Sequence, residues 1–126
     1  MVIAALSAWH ADHDAAARAI EGVTALPAHV MAEVYSVLTR LPSGFAVPAP
    51  VAADVLGRRF ADDVLCLAQR DRGGLLETLA AAGVFGGATY DGLVALEAHA
   101  HGRVLLSLDR RAQATYRRLR VAFQTV

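Results

Sequence analysis

Three acids stand where folding alone does not ask for them. Asp109 follows directly on the apolar run Val104-Leu105-Leu106-Ser107-Leu108, and sites in open α/β sheets form outside the carboxyl ends of strands. The same residue is a candidate N-cap for a basic helix beginning at Arg110, and the sequence leaves both readings open. Asp91 opens the helix after the glycine-bearing turn that holds Gly83, Gly86 and Gly87. Taken alone, it reads as a capping or first-turn acid favoured by the helix dipole. Glu33 lies about 70° from the centre of an apolar helix face, at 100° per residue. That face holds Val30, Val34, Val37, Leu38 and Leu41. Glu33 is therefore expected to be half desolvated and to need a cation, with a salt bridge to Arg40 or Arg110 as the plain alternative.

If the three acids converge, their mutual repulsion calls for a hard divalent cation. Mg²⁺ or Mn²⁺ fits, since such ions take oxygen ligands and keep several waters. The chemistry this supports is phosphodiester cleavage, in which the ion makes water nucleophilic and offsets developing charge, with one ion or two. A source of phosphate contacts lies beside Asp109: residues 103–126 hold six arginines (103, 110, 111, 117, 118 and 120) against that single acid, about +5 locally.

Other groupings carry less. His10, Asp12 and His13 could seat Zn²⁺, but no further cysteine or histidine lies at a matching spacing. His99 and His101, two apart on a helix, face different directions and read as surface residues. Trp9 reads as core or interface, and Tyr116 as packing beneath the last strand rather than stacking on a base. The glycines at 83, 86 and 87 lack the Lys-Ser/Thr of a phosphate loop. No Ser-His-Asp or Cys-His spacing supports nucleophilic catalysis.

The elements that must position the acids follow from apolar spacing and turn residues. Helices are expected at residues 2 to about 20, 28–41, 51–60, 72–82, 90–101 and 110–119, punctuated by Gly22, Pro27, Pro42, Pro48 and Gly102. A short apolar run covers 23–26, and strands are expected at 64–68, 103–108 and 121–126. Alternating strands and helices, with a 103–108 run apolar on both faces, mean α/β with a mainly parallel sheet.

Composition bounds the reading. The 126 residues suit one domain, and 56% hydrophobic against 19% charged residues supplies a core and argues against disorder. Twelve basic and twelve acidic residues cancel, which excludes a surface that is basic throughout. All twelve basic residues are arginine, for which a GC-rich genome is the simpler explanation, although the planar fork also suits phosphate. The single cysteine, Cys66, reads as a small buried hydrophobe in a reducing compartment. No signal peptide or membrane span is visible near residues 2–6, so a cytoplasmic protein is expected.

The order of the pieces resembles a known family. Glu33 within Pro27-Ala28-His29-Val30-Met31-Ala32-Glu33-Val34-Tyr35-Ser36-Val37-Leu38-Thr39-Arg40, then Tyr90-Asp91-Gly92-Leu93-Val94-Ala95-Leu96, then Leu105-Leu106-Ser107-Leu108-Asp109-Arg110-Arg111 resemble the PIN domain, most closely the VapC-type toxins of toxin–antitoxin pairs. The resemblance covers nearly the whole chain. It implies a three-layer α/β/α domain with a mainly parallel sheet, Glu33, Asp91 and Asp109 as metal-binding acids, and Ser107 as a supporting hydroxyl. It further implies a Mg²⁺-dependent (or Mn²⁺-dependent) endoribonuclease, usually a homodimer, blocked by a VapB-type antitoxin. Arg110, Arg111, Arg117 and Arg118 would then contact RNA.

One departure has consequences. The family pattern begins with an apolar strand ending in Asp-Thr/Asn-Ser, followed by a helix that starts much like Val2-Ile3-Ala4-Ala5-Leu6, and residues 1–126 open at that helix. The expectation is a start assigned too late or a shortened protein, in which the remaining acids hold metal weakly. The alternative function is accordingly a catalytically weak PIN-like domain that binds an antitoxin or a copy of itself; a DNA nuclease is a third possibility.

Overall fold

Turn-forming residues divide the chain as their backbone preferences require. The computed structural model describes residues 1–42 and 44–126, apart from the side chain of Asp63. The chain folds as two compact units, Met1–Val64 and Leu65–Val126.

In the first unit, α1 (Val2–Leu6) packs on α2 (His13–Ala19) and on α3 (Ala28–Thr39), and α3 packs on α4 (Ala49–Arg59). The single helix expected from residue 2 to about 20 is interrupted at residues 7–12. Ser7 takes an extended conformation, and the His10 ring Nδ1 accepts the Asp12 amide. Polar side chains that bond nearby backbone compete with the helix ladder, and here they end it. The His13 ring Nδ1 bonds the Ala4 carbonyl at 3.0 Å, tying the two short helices together.

Pro27, in extended conformation, precedes α3, and Pro50 lies in the first turn of α4, where proline costs no intrahelical bond. Each helix buries an i, i+4 pair: Val34 and Leu38 on α3, Ala52 and Leu56 on α4. The Arg59 guanidinium donates to the Val23 carbonyl at 2.6 Å and also to the Ile20 carbonyl, anchoring the end of α4 to the turn after α2. The expected run at 23–26 yields β1 (Ala25–Pro27), in a two-stranded sheet with β2 (Asp63–Leu65).

In the second unit, Gly73 and Gly74 split the helix expected at 72–82 into α5 (Gln69–Arg72) and α6 (Leu75–Ala81). Gly83, at φ +66, lets the Val84 amide reach back to the Leu79 carbonyl at 2.8 Å and ends α6. Then comes α7 (Ala88–Ala100), which packs on α6, on β3 (Leu105–Ser107) and on α8 (Gln113–Arg118). β3 pairs in parallel with β4 (Phe123–Thr125), with Leu105 opposite Phe123 and Ser107 opposite Thr125. A parallel pair needs a crossover connection, and α8 provides it. Ala95, Ala112, Tyr116 and Val121 form the core, with Leu105, Leu119 and Phe123 against it.

Two further expectations are corrected. Cys66 is half-buried rather than buried, because it lies beyond the end of β2. Trp9 is 53% exposed, edge-on to Phe45, which corrects the core half of its reading and leaves the interface half untested.

Candidate active site

The parallel strand β3 ends at Ser107, and this end organises the second unit's acids. Ser107 is 7% exposed; its Oγ accepts the Asp109 amide at 3.0 Å and lies 3.5 Å from the Tyr116 hydroxyl. Asp109 itself is exposed. Its Oδ1 accepts the amides of Arg111 at 2.7 Å and Ala112 at 3.4 Å, so the carboxylate caps the turn that leads into α8. The capping and site readings of Asp109 are therefore compatible: one oxygen holds the turn, and Oδ2 remains outside these bonds. The helix begins at Gln113 rather than Arg110 because residues 110–112 form this capped turn.

Asp91 lies in the first turn of α7 and is half-buried. Its neighbour Gly92 lies in close packing: a Cβ there would stand 2.5 Å from Leu79 Cδ2 and 3.3 Å from Val84 Cγ1, so a larger side chain must displace the Leu79 side chain. Both Asp91 and Asp109 act on the buried Tyr116 hydroxyl. Burial raises the Tyr116 pKa most, its bond with Ser107 opposes the rise, and the charges of Asp91 and Asp109 add to it. The second unit thus brings Asp109, Ser107 and Tyr116 together at the carboxyl end of β3, with Asp91 within electrostatic reach of the Tyr116 hydroxyl.

Glu33 is exposed on α3, and the half-desolvated environment expected for it is not found. The buried stripe of α3 is narrower than the apolar pattern implied: Val34 and Leu38 are buried, whereas Val30, Val37 and Leu41 are only half covered. Neither Arg40 nor Arg110 forms an ion pair among the described residues. On the same helix as Glu33, Met31 and Tyr35 line an apolar groove together with Leu56 and Val64.

Among the described residues no group of three or more His, Cys, Asp or Glu is placed to hold a metal ion. The Asp109 donors at the end of β3 are carboxylate oxygens, the donor type that a hard divalent cation takes. The His10-Asp12-His13 grouping is no such site among the described residues either.

Arg110, Arg111, Arg117 and Arg118 are all exposed. They differ in freedom: Arg117 donates to Gln113 Oε1 at 3.0 Å and lies over the Phe123 ring, and Arg118 donates to the Gly83 carbonyl at 2.8 Å. Sequence reasoning placed Tyr116 under the last strand, where it does sit against Phe123, but missed its hydroxyl beneath the acids. The i, i+4 spacing from the capped residue Ala112 was the available signal. It also passed over Glu97, 6% exposed on α7, which sits between Leu96 and Ala98 in a helix apolar on most sides.

The PIN domain profile matches residues 1–118. Ribonuclease VapC40 of Mycobacterium tuberculosis is 43% identical over 127 aligned residues, covering all of this chain and 94% of that protein. Ribonuclease VapC27 of the same species (strain H37Rv) is 42% identical over 118 residues, 94% of this chain and 79% of that protein. No solved structure matches. With strands and helices alternating, an acid at the end of a parallel strand and a profile match over most of its length, the chain belongs to the PIN domain family, alongside the VapC proteins.

Proposed function

We propose that this protein is a toxin endoribonuclease that cleaves RNA phosphodiester bonds with Mg²⁺ (or Mn²⁺), and that a VapB-type antitoxin neutralises it. The observation that carries this reading is Asp109 held at the carboxyl end of the parallel strand β3 by Ser107 and by the amides of the next turn, joined to 43% identity with a protein named as a ribonuclease. Asp91 and Asp109 would hold the ion, with Glu33 as a third acid from the family pattern. When bound, such an ion supplies Lewis acidity toward phosphate and lowers the pKa of water.

The chain's own groups do the rest. The amides of Arg111 and Ala112 fix Oδ1 of Asp109, so its other oxygen keeps one direction. Ser107 fixes the Asp109 backbone. Arg110 and Arg111, on the capped turn, offer guanidinium groups to RNA phosphates next to the acids. Arg117 and Arg118 extend this positive face along α8. By the family resemblance the protein would be a homodimer, and its single cysteine suits a reducing compartment such as the cytoplasm; no helix among the described residues is long and apolar enough to cross a membrane.

The test is cleavage of a mixed RNA pool by the purified chain with Mg²⁺ or Mn²⁺ against a chelator. Metal-dependent cleavage of RNA, lost in Asp91→Asn, is expected. A preference for duplex DNA, or cleavage untouched by that substitution, would overturn the reading. The lack of a three-residue metal cluster among the described residues favours a second reading: a PIN-like interaction domain that binds an antitoxin without cutting. Antitoxin binding with no cleavage under any metal would select it.

A further inference from the structure

The Tyr116 ring is held by the fold rather than by the site. It is 4% exposed, packs against Phe123 with centroids 5.3 Å apart, and sits in the core with Ala95, Ala112 and Val121. Its hydroxyl is therefore a fixed post at the polar end of an apolar cluster. The neighbouring group that can adjust to it is Ser107 Oγ, 3.5 Å away. A serine hydroxyl rotates among three staggered positions and has one proton and two acceptor sites. One acceptor site takes the Asp109 amide.

The same residues close a second path. Asp109 Oδ1 accepts the Ala112 amide, and the Ala112 carbonyl accepts the Tyr116 amide at 3.1 Å. Asp109 is thus bound to Tyr116 at both ends: its backbone through Ser107, its carboxylate through the turn of α8 that carries the tyrosine.

We propose that Tyr116 is a positioning residue for Asp109: its hydroxyl holds Ser107 Oγ in the rotamer that accepts the Asp109 amide, and so fixes the direction of the carboxylate. The proposal rests on the reading of Asp109 as a site acid. Buried partners that orient a ligating side chain are worth about 10–100-fold in metal affinity or activity when removed. This gives the chain a positioning device built from residues nine apart, one at a strand end and one on the following helix.

The test uses Tyr116→Phe, which keeps the ring and its packing, together with Ser107→Ala, Ser107→Thr and the double variant Ser107→Ala with Tyr116→Phe. Two readouts need no catalysis: the Asp109 amide resonance in a ¹⁵N-correlated spectrum, and Mn²⁺ affinity by titration. Tyr116→Phe should move the Asp109 amide resonance and weaken Mn²⁺ binding about tenfold or more. The same substitution made on Ser107→Ala should add little, and Ser107→Thr should restore most of the affinity. An unmoved Asp109 resonance in Tyr116→Phe would overturn the proposal. So would an equal loss on either background, because the tyrosine would then act independently of Ser107. If the unaltered chain neither binds Mn²⁺ nor cuts RNA, the ribonuclease reading fails, and the resonance comparison still decides whether Tyr116 positions Asp109.

Discussion

By the family resemblance Glu33 and Asp109 would be acids of one site, yet the chain treats them differently. Glu33 projects from the middle of a helix, exposed, with no ion pair among the described residues. Asp109 follows a parallel strand, and three backbone or hydroxyl bonds fix its amide and one carboxylate oxygen. A mid-helix side chain must use its own torsions to find a direction, because the helix backbone has no spare donors. At a strand end the amides of the next turn are free to bind it. Geometry at a strand end is therefore supplied by the local backbone, whereas geometry on a helix face must be supplied by whatever the side chain meets.

The largest expected effect tests that difference directly. Asp109→Asn should lower metal-dependent RNA cleavage by at least about 100-fold, and Glu33→Gln by about tenfold, on the scale of losses for metal ligands and their partners. Equal losses in steady-state assays would show that the exposed acid is as well positioned as the bracketed one. On α7 the approach to α6 depends on Gly92, so Gly92→Val should cost about 2 kcal/mol by overpacking against Leu79 and Val84. Denaturant unfolding measures this, and an unchanged midpoint would mean that the contact relaxes freely.

Stability sharpens the comparison further. Asp109→Ala removes a cap and should cost about 1 kcal/mol, while Glu33→Ala should stay within about 0.5 kcal/mol; thermal unfolding of the two variants separates them. Among the arginines, replacing Arg110 and Arg111 with alanine should flatten the salt dependence of RNA binding more than replacing Arg117 and Arg118. The latter pair is partly engaged with Gln113 and the Gly83 carbonyl. Equal salt slopes would place all four on the phosphate path alike.

The smallest effect concerns pH. Burial holds the folded Tyr116 pKa above 10.0, reinforced by Asp91 and Asp109 and opposed by Ser107. The folded state then keeps a proton that the unfolded chain gives up, so this contribution is complete below pH 10.0 and is lost as pH rises through the folded value. Unfolding midpoints should fall above that pH in the unaltered protein and fall less in Tyr116→Phe.

Much of this was legible in the residues. Pro27 and Gly102 marked the start of α3 and the turn after α7, apolar spacing placed α3, α4 and α7 to within a few residues, and a run apolar on both faces announced β3. The acids were legible as a pattern because a strand-end Asp and a first-turn Asp occupy positions that backbone geometry defines locally. The break between α1 and α2 was not, because Ile3, Leu6, Ala16 and Ile20 keep one helical phase on either side of residues 7–12, whereas the backbone turns extended at Ser7. The sheltered state assigned to Glu33 failed for a related reason: an apolar pattern shows which faces can be buried, and packing decides how wide a stripe is covered.

What the sequence determined by itself is therefore the set of candidate groups, its acids, hydroxyl and arginines, and the strand and helix types that carry them. Only the tertiary structure decided which of these meet. Tyr116 and Ser107 are nine residues apart, and a crossover through α8 is needed to bring a buried ring beneath a strand end. Local spacing encodes a side chain's direction on its own element. Whether two such directions converge depends on how the elements pack, and that is set by burial of apolar surface summed over the fold.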